Sequence, residues 1–237
     1  MKSLKEAIHL YLEKHPPTLR LFRRLEEAGD IYLIGGVLRE FKDNGDILEL
    51  RDLDLVIDIK NQGDWENTLS EFPSDRNCFD GYKWHFEDLV IDAWPIDETW
   101  AYRNGVVVCK PENWVECLGD TVFLSIDAIV YDLKEDVWYD KKYQETMKSG
   151  MLDIVLEDNP QVLLNLVRAM ILRRRYALRY SAKLLQVFNK VKRQEKNLVF
   201  KLMQIQRDRY KKEILTEEEL LGEIDSSSLW GWQQSAE

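Results

Sequence analysis

Three aspartates stand where a strand-forming sequence would place carboxylates side by side. Asp52 and Asp54 open the apolar run DLDLVIDI, and Asp92 interrupts the run LVIDAW. Side chains alternate between the faces of a strand, so Asp52 and Asp54 would share one face, roughly 6.6 Å apart along the chain. Adjacent carboxylates repel each other unless a cation lies between them, and oxygen ligands favour Mg²⁺ or Mn²⁺. Asp92 is costly to bury alone, so we expect it to complete a two-metal site.

A pair of glycines precedes these aspartates. Gly35 and Gly36 follow the apolar run IYLI and lead into VLREF, which predicts a turn from a strand into a helix. Such a turn leaves backbone N–H groups accessible at the positive end of the helix dipole, where a phosphate chain would bind. Arg39 follows one helical turn later and could add a charge-assisted hydrogen bond. The alternative is a tight connection without a ligand.

The remaining acidic residues near these runs have simpler interpretations. Asp58 has the same strand parity as the aspartate pair, but it lies further along and is expected at the solvent end of the strand. Asp97, Asp127 and Asp132 could be caps or turn residues.

Periodic apolar patterns define the elements that must hold these residues. Helical spacing predicts two helices within residues 2–28, divided at Pro16 and Pro17. Apolar and β-branched runs predict strands at 31–34, 52–59, 84–86, 89–94, 106–109 and 123–133. Residues 161–212 have helical periodicity and contain neither Gly nor Pro. We therefore expect an α+β protein, with a small mixed β-sheet and flanking helices followed by an all-helical C-terminal region.

This pattern divides the chain into three parts. Residues 1–150 would form the mixed domain with its N-terminal helices, and residues 151–215 a helical region. Residues 216–237 would form an acidic and aromatic tail, either a loose arm or a docked segment. Its LWGWQQ stretch could contact another subunit or a protein partner.

Charge is distributed unevenly along the chain. The 237 residues carry a formal net charge of -10, yet residues 168–212 contain 15 Lys and Arg against two acidic residues, a net charge of +13. A solvated helical surface explains part of this excess. A surface that binds RNA or another polyanion is the alternative.

Cysteine usage and hydropathy argue against several classes of protein. Cys78, Cys109 and Cys117 are odd in number and lack CxxC spacing, so we expect inert thiols instead of a disulfide framework or a zinc cluster. No run of about 18 or more apolar residues is present, and the N-terminus lacks the pattern of a secretory signal. We therefore expect a cytoplasmic protein that does not enter a membrane.

The order of these motifs resembles a known family. LIGGVLRE followed by RDLDLVID resembles the nucleotidyltransferases of the DNA polymerase beta superfamily, specifically the head domain of class II CCA-adding enzymes and bacterial poly(A) polymerases. GYKWHFEDLVIDAWPI resembles the hairpin that carries the family's third carboxylate. FLSIDAIVYDLKEDVWYD resembles the second motif, and EDNPQVLLNLVRAMILRRRY the start of the helical neck. The resemblance extends from about Ile31 to about Tyr176.

The resemblance implies a nucleotidyltransferase fold and an NTP-dependent reaction. The NTP contacts that it implies are Gly35, Gly36, Arg39 and Arg168. The three aspartates, as the catalytic residues, would hold two Mg²⁺ ions, with Mn²⁺ as an alternative. The second motif lacks the family's paired arginines, and Asp127 stands where the family has Asn. The base-selecting motif of the neck is not intact, so the family's choice of NTP cannot be assigned to this chain.

The predicted function is a metal-dependent, template-independent nucleotidyltransferase that transfers NMP from an NTP to a hydroxyl acceptor. A tRNA-like RNA is the first acceptor considered, bound through the basic segment 168–212. One alternative is nucleotidylation of a protein or of a small molecule such as an aminoglycoside. The other is a catalytically inactive module that binds a nucleotide or a partner. Under each of these hypotheses, the protein could form a homo-oligomer.

Overall fold

A computed structural model describes residues 2–87 and 89–233, with side chains described as far as residue 225. The chain divides into two compact units. The first unit comprises Met1–Thr121 and Asp127–Lys141, and the second comprises Val122–Ile126 and Lys142–Glu237. In the part of the chain that the structure describes, every helix is too short or too polar to cross a bilayer.

Seven strands of the first unit form one mixed sheet. They are β1 (Gly29–Ile34), β2 (Asp52–Ile59), β3 (Asp75–Arg76), β4 (Tyr82–His85), β5 (Val90–Pro95), β6 (Val130–Asp132) and β7 (Val137–Tyr139). Their order across the sheet is β3-β4-β5-β2-β1-β6-β7. β2 runs parallel to β5 and antiparallel to β1, and the other neighbouring strands pair antiparallel. The predicted small mixed sheet is confirmed.

Helices flank this sheet, as predicted. They are α1 (Leu4–Leu12), α2 (Pro16–Ala28), α3 (Gly36–Asn44), α4 (Gln62–Glu71), α5 (Trp100–Arg103) and α6 (Trp114–Cys117). Ser3 and Glu6 form a capping box at the start of α1, and Pro16 occupies the first position of α2, where it costs no hydrogen bond. Gly45, at a φ of 69°, ends α3 in the left-handed region.

The two faces of β2 have different environments. Leu53, Leu55 and Ile57 lie on one face and are fully buried. Because side chains alternate, Asp52 and Asp54 lie on the other face, followed by Val56. Val56 belongs to a small apolar cluster that also contains Tyr32, Ile96, Leu118 and Val130. This face is therefore polar at both ends, with Asp58 at the far end, and packed at Val56 between them.

The second unit is helical apart from one short pair of strands. Its elements are α7 (Lys141–Ser149), which begins at the boundary, β8 (Met151–Leu152), α8 (Val162–Arg175), β9 (Arg179–Tyr180), α9 (Ala182–Gln194), α10 (Leu198–Tyr210) and α11 (Glu217–Gln233). β8 and β9 pair in parallel. The hydroxyl of Thr146 on α7 donates to Ser125 of the same unit at 2.7 Å. In this division, α7 belongs to the second unit except for its first residue, Lys141.

The predicted tail begins with a docked helix. Leu220 and Ile224 of α11 are buried, and so is the carboxylate of Glu223, which pairs with Arg173. Tyr180 donates to the same carboxylate at 2.8 Å, and burial followed by the charge of Glu223 raises the pKa of this tyrosine. An acidic helix therefore neutralises part of the basic segment. The side chains of the LWGWQQ stretch lie outside the described residues.

Two strand predictions are wrong in whole or in part. Residues 106–109 form a loop, because the amides of Val106 and Val107 donate to the carbonyl of Ala101 instead of joining a sheet. Within 123–133, only the stretch of β6 pairs with β1. Residues before β6 form the 3-10 turn Ser125–Asp127, and Leu124 pairs with Ile154 in the second unit.

The expectation of three inert thiols is also wrong. Cys109 and Cys117 form a disulfide, with their α-carbons 6.6 Å apart. The 3-10 turn Pro111–Asn113 and helix α6 fold the chain back between them, which cysteine spacing alone did not indicate. Cys78 is exposed and does not take part in this disulfide.

Candidate active site

The sheet register brings the three predicted carboxylates together on one face. Asp54 on β2 lies opposite Asp92 on the parallel neighbour β5, and Asp52 lies opposite Val90. Paired residues on neighbouring strands project to the same face, and Asp52 shares that face because it is two residues from Asp54. The predicted clustering of these aspartates therefore follows from the register.

Asp92 has two polar partners. Lys83 on β4 pairs in register with Asp92, and its ammonium forms an ion pair with the carboxylate oxygen Oδ2. The amide of Asn77 donates to Oδ1 at 2.7 Å. The side-chain oxygen of Asn77 in turn accepts hydrogen bonds from the backbone amides of Phe79 and Gly81, which fixes its orientation. Asp92 is only 9% exposed, so these partners offset the cost of burying its charge.

Asp52 and Asp54 differ in exposure. The side chain of Asp52 is 47% exposed, and the guanidinium of Arg51 lies 2.7 Å from it, so this surface ion pair is weak. Asp54 is half-buried and lies against Gly35. A β-carbon at Gly35 would overlap the carboxylate of Asp54, and Gly35 has a φ of 82°, which L-residues avoid. Glycine is therefore needed at this position for two independent reasons.

Helix α3 starts directly after this glycine. Its first residue is Gly36, and its N-cap is Gly35, which has no side chain to cap the N-terminal amides. The carboxylate face of β2 therefore lies beside the positive end of a helix dipole.

Arg39 is engaged within the protein. Its guanidinium lies near Gly36 but forms an ion pair with Asp127, and the two side chains are only 12% and 9% exposed. Asp127 ends the 3-10 turn Ser125–Asp127 and also carries this ion pair. Asp132, the last residue of β6, accepts from the amides of Lys134 and Glu135 in the turn that follows. The role of Arg39 in triphosphate binding stays a prediction.

Arg168 lies on α8 of the second unit and is half-buried there. Its contact with an NTP also stays a prediction. Asp58 lies at the far end of β2 and pairs with Lys60, in agreement with the expectation that it stands apart from the aspartate pair.

The donor set suits a hard divalent cation only in part. Asp52 and Asp54 supply oxygen ligands on one face, the chemistry that Mg²⁺ prefers. Asp92 is already bound to Lys83 and Asn77. Among the described residues, no group of three or more His, Cys, Asp or Glu side chains is arranged to hold a metal ion. If a divalent ion binds here, the oxygen donors that would hold it are those of Asp52 and Asp54.

Sequence reasoning missed three members of this site, namely Lys83, Asn77 and Asp127. A signal for Lys83 was available in the hairpin between β4 and β5. The amide of Phe86 donates to the carbonyl of Leu89, and counting outward from this turn pairs Lys83 with Asp92. No comparable local signal connects Asp127 to Arg39, which is 88 residues away.

Replacing Gly35 should disturb the site, whereas replacing its neighbour should not. Gly35→Ala places a β-carbon against Asp54 and forces a strained backbone conformation, so we expect a loss of roughly 1–3 kcal/mol in the free energy of unfolding. Gly36→Ala is the matched control, because its β-carbon would meet only Arg39, at 3.8 Å. Urea unfolding measures both variants, and equal stabilities would contradict this account of the turn.

The Arg39–Asp127 ion pair should be coupled energetically. Arg39→Met leaves a buried carboxylate without its counter-charge and should lower the free energy of unfolding by roughly 3–5 kcal/mol. Adding Asp127→Asn removes the uncompensated charge and should recover part of that loss. A double-mutant cycle in urea measures the coupling, and effects that add to within about 0.5 kcal/mol would show that the pair is not coupled.

Comparisons with known proteins bear on this fold. No protein-family model and no curated protein matches the chain. A CCA-adding enzyme in complex with CTP matches with a TM-score of 0.58 and 17% identity, over 89% of this chain and 52% of that one. The Thermotoga maritima CCA-adding enzyme complexed with tRNA has a TM-score of 0.56 and 18% identity, over 89% and 51%. A CCA-adding enzyme with ATP has a TM-score of 0.54 and 17% identity, over 81% and 47%.

The chain therefore spans about half the length of these solved structures. At such low identity the likeness concerns the fold alone. The seven-stranded mixed sheet, its flanking helices and the helical second unit agree with that likeness. The chain has a nucleotidyltransferase-like fold that resembles the head domain of CCA-adding enzymes.

Proposed function

We propose that this protein is a nucleotidyltransferase that transfers NMP from an NTP to a hydroxyl acceptor with the help of a divalent metal ion. The observation that carries the proposal is the position of Asp54. It lies in register with Asp92 on one side and against Gly35, at the start of α3, on the other. Carboxylates for a metal and a helix N-terminus for phosphates are thus adjacent.

Each part of this arrangement has a role in the proposed reaction. The N-terminal amides of α3 would bind the triphosphate, and Gly35 would let it approach the backbone. Asp52 and Asp54 would hold Mg²⁺ or Mn²⁺, which when bound supplies positive charge for the phosphoryl group and lowers the pKa of an attacking hydroxyl. Leu53 and Leu55 anchor β2 in the core, so the carboxylates are held in place before substrate binds.

RNA is the acceptor that the second unit favours. Lys183, Lys190 and Arg193 of α9 are exposed, and their spacing places them on one face of that helix. Such a face would bind phosphates without reading sequence. Solved structures with a similar fold are described as complexes with CTP, ATP and tRNA. These descriptions also support an NTP as the donor and RNA as the acceptor. The role of Arg168 as an NTP contact belongs to this proposal.

One observation favours a second candidate function. Two groups expected to face ligands, Asp92 and Arg39, are instead ion-paired with Lys83 and Asp127. A catalytically inactive module that binds a nucleotide or a partner would tolerate both pairs. The aspartate pair on β2 weighs against this candidate, because adjacent carboxylates are costly to keep without a cation.

The proposal predicts that Asp54 is essential for catalysis. Purified protein is incubated with Mg²⁺, each α-labelled NTP and total cellular RNA, and the products are separated by size. Wild type should transfer label into RNA from a preferred NTP, and Asp54→Asn should lower the rate at least about a hundredfold. Asp58→Asn is the matched control. Asp58 lies on the same strand and the same face as Asp54, but at the far end of β2, where it pairs with Lys60.

The outcomes separate the candidate functions. Label in a protein or small-molecule fraction would support the nucleotidyltransferase activity and show that the acceptor is not RNA. No transfer to any acceptor with Mg²⁺ or Mn²⁺, although nucleotide still binds, would favour the inactive module. Equal loss of activity in the Asp54 and Asp58 variants would contradict the assigned site.

A further inference from the structure

Helix α11 holds two arginines near the end of α8. Nε of Arg173 donates to Glu223 at 3.0 Å, and the side chain of Glu223 is only 3% exposed. The guanidinium of Arg174 lies 2.6 Å from the carboxylate of Glu219. Leu220 of the same helix is fully buried, so α11 cannot leave this position without losing core contacts. A phosphate that approached either arginine would have to displace a carboxylate that already supplies the opposite charge.

Helix α9 presents two charged sides. On one side, Lys192 pairs with Asp225 of α11 at 3.0 Å. The other side carries Lys183, Lys190 and Arg193, which we call the α9 stripe. At about 100° per residue, the three residues of the stripe lie within an arc of about 80°, and Lys192 lies outside that arc. The acidic helix therefore neutralises one side of α9 and leaves the stripe charged.

The three cations of the α9 stripe are exposed to solvent. Among the residues that the structure describes, no carboxylate pairs with any of them. Nζ of Lys183 lies 3.5 Å from the carbonyl oxygen of Ile154, and Nε of Arg193 donates to the carbonyl of Asn189 at 3.1 Å. Both acceptors are uncharged, so the positive charge of the stripe is not neutralised by these contacts.

The shape of the α9 stripe suits an extended polyanion. Its first and last residues are ten positions apart, which corresponds to about 15 Å along a helix. A single small anion would need cations that converge on one point. A nucleic-acid backbone instead repeats its negative charge along a line, as the stripe repeats its positive charge.

We propose that RNA docks along the α9 stripe through its phosphates, and that the acidic helix α11 excludes RNA from the arginines of α8. The choice of RNA rests on the proposed function, whereas the docking itself requires no turnover. The surface would then make about three phosphate contacts, although residues 168–212 carry a net charge of +13. Each contact with a single strand contributes about 0.7 to the dependence of log K on log salt concentration, so we expect a slope of about -2.

The first test measures this slope by fluorescence anisotropy, with the full chain and a labelled uridine homopolymer, without NTP. Lys190→Gln removes one contact and should reduce the slope to about -1.4, and Lys183→Gln should have the same effect. Lys192→Gln is the matched control. It removes the same charge from the same helix on the side that faces Asp225, so its slope should equal that of wild type.

The second test frees an arginine from α11. Glu219→Gln removes the carboxylate nearest to Arg174, whose remaining contact with Glu223 is longer, at 3.3 Å. Glutamine can still accept the hydrogen bond from the amide of Thr216, which preserves the cap of α11. We expect tighter RNA binding by several fold and a slope steeper by about 0.7. Adding Arg174→Gln should restore the wild-type slope.

Glu218→Gln is the matched control for this second test. Glu218 is exposed, and among the described side chains it has no ion-pair partner, so its loss changes the net charge equally without freeing an arginine. Its slope should equal that of wild type. Equal effects of the Glu218 and Glu219 variants would show that only net charge matters, and would overturn the role of α11.

Urea unfolding establishes that each variant is folded. Unchanged slopes in both lysine variants of the α9 stripe would overturn the docking surface, as would binding to phosphatidylserine vesicles but not to RNA. RNA binding with these slopes but without label transfer would contradict the proposed function and leave the docking surface intact. Label transfer that does not depend on the stripe would do the reverse.

Discussion

Strand β2 lies between an antiparallel neighbour and a parallel one, and its single register determines both the core and the carboxylate face. With Asp54 opposite Asp92, the residues Leu53, Leu55 and Ile57 are fully buried. A shift by one residue would turn those three side chains to the polar face and the aspartates into the core, at a cost of several kcal/mol. The hydrophobic effect thus fixes where the carboxylates lie.

Holding these carboxylates together requires positive charge from several sources. The structure supplies Lys83 at Asp92, Arg51 at Asp52 and the N-terminus of α3 near Asp54. These sources differ in strength, since the exposed Arg51 pair is weak and the shielded Lys83 pair is not.

Some elements could be predicted from the pattern within a short stretch of sequence. The alternation in DLDLVIDI gave the bounds of β2, and the Gly-Gly turn gave the start of α3. The valines at 106–108 have strand propensity, but none of the described strands pairs with them, and Val108 is 92% exposed. The Cys109–Cys117 disulfide and the Arg39–Asp127 pair depend on how loops fold back or on residues distant in sequence, so periodicity could not reveal them. Lys83 could have been predicted, because the short hairpin between β4 and β5 sets which residues of the two strands are paired.

The aspartate pair beside Gly35 is proposed to be a metal-dependent NTP site. Its most direct test is a crystal structure with Mn²⁺ and a non-hydrolysable NTP analogue, using the anomalous signal of manganese to locate the ion. We expect a manganese peak within ligand distance of Asp52 and Asp54, and the triphosphate at the N-terminus of α3. A peak at other carboxylates, or a nucleotide bound elsewhere while the aspartate pair holds no ion, would contradict it.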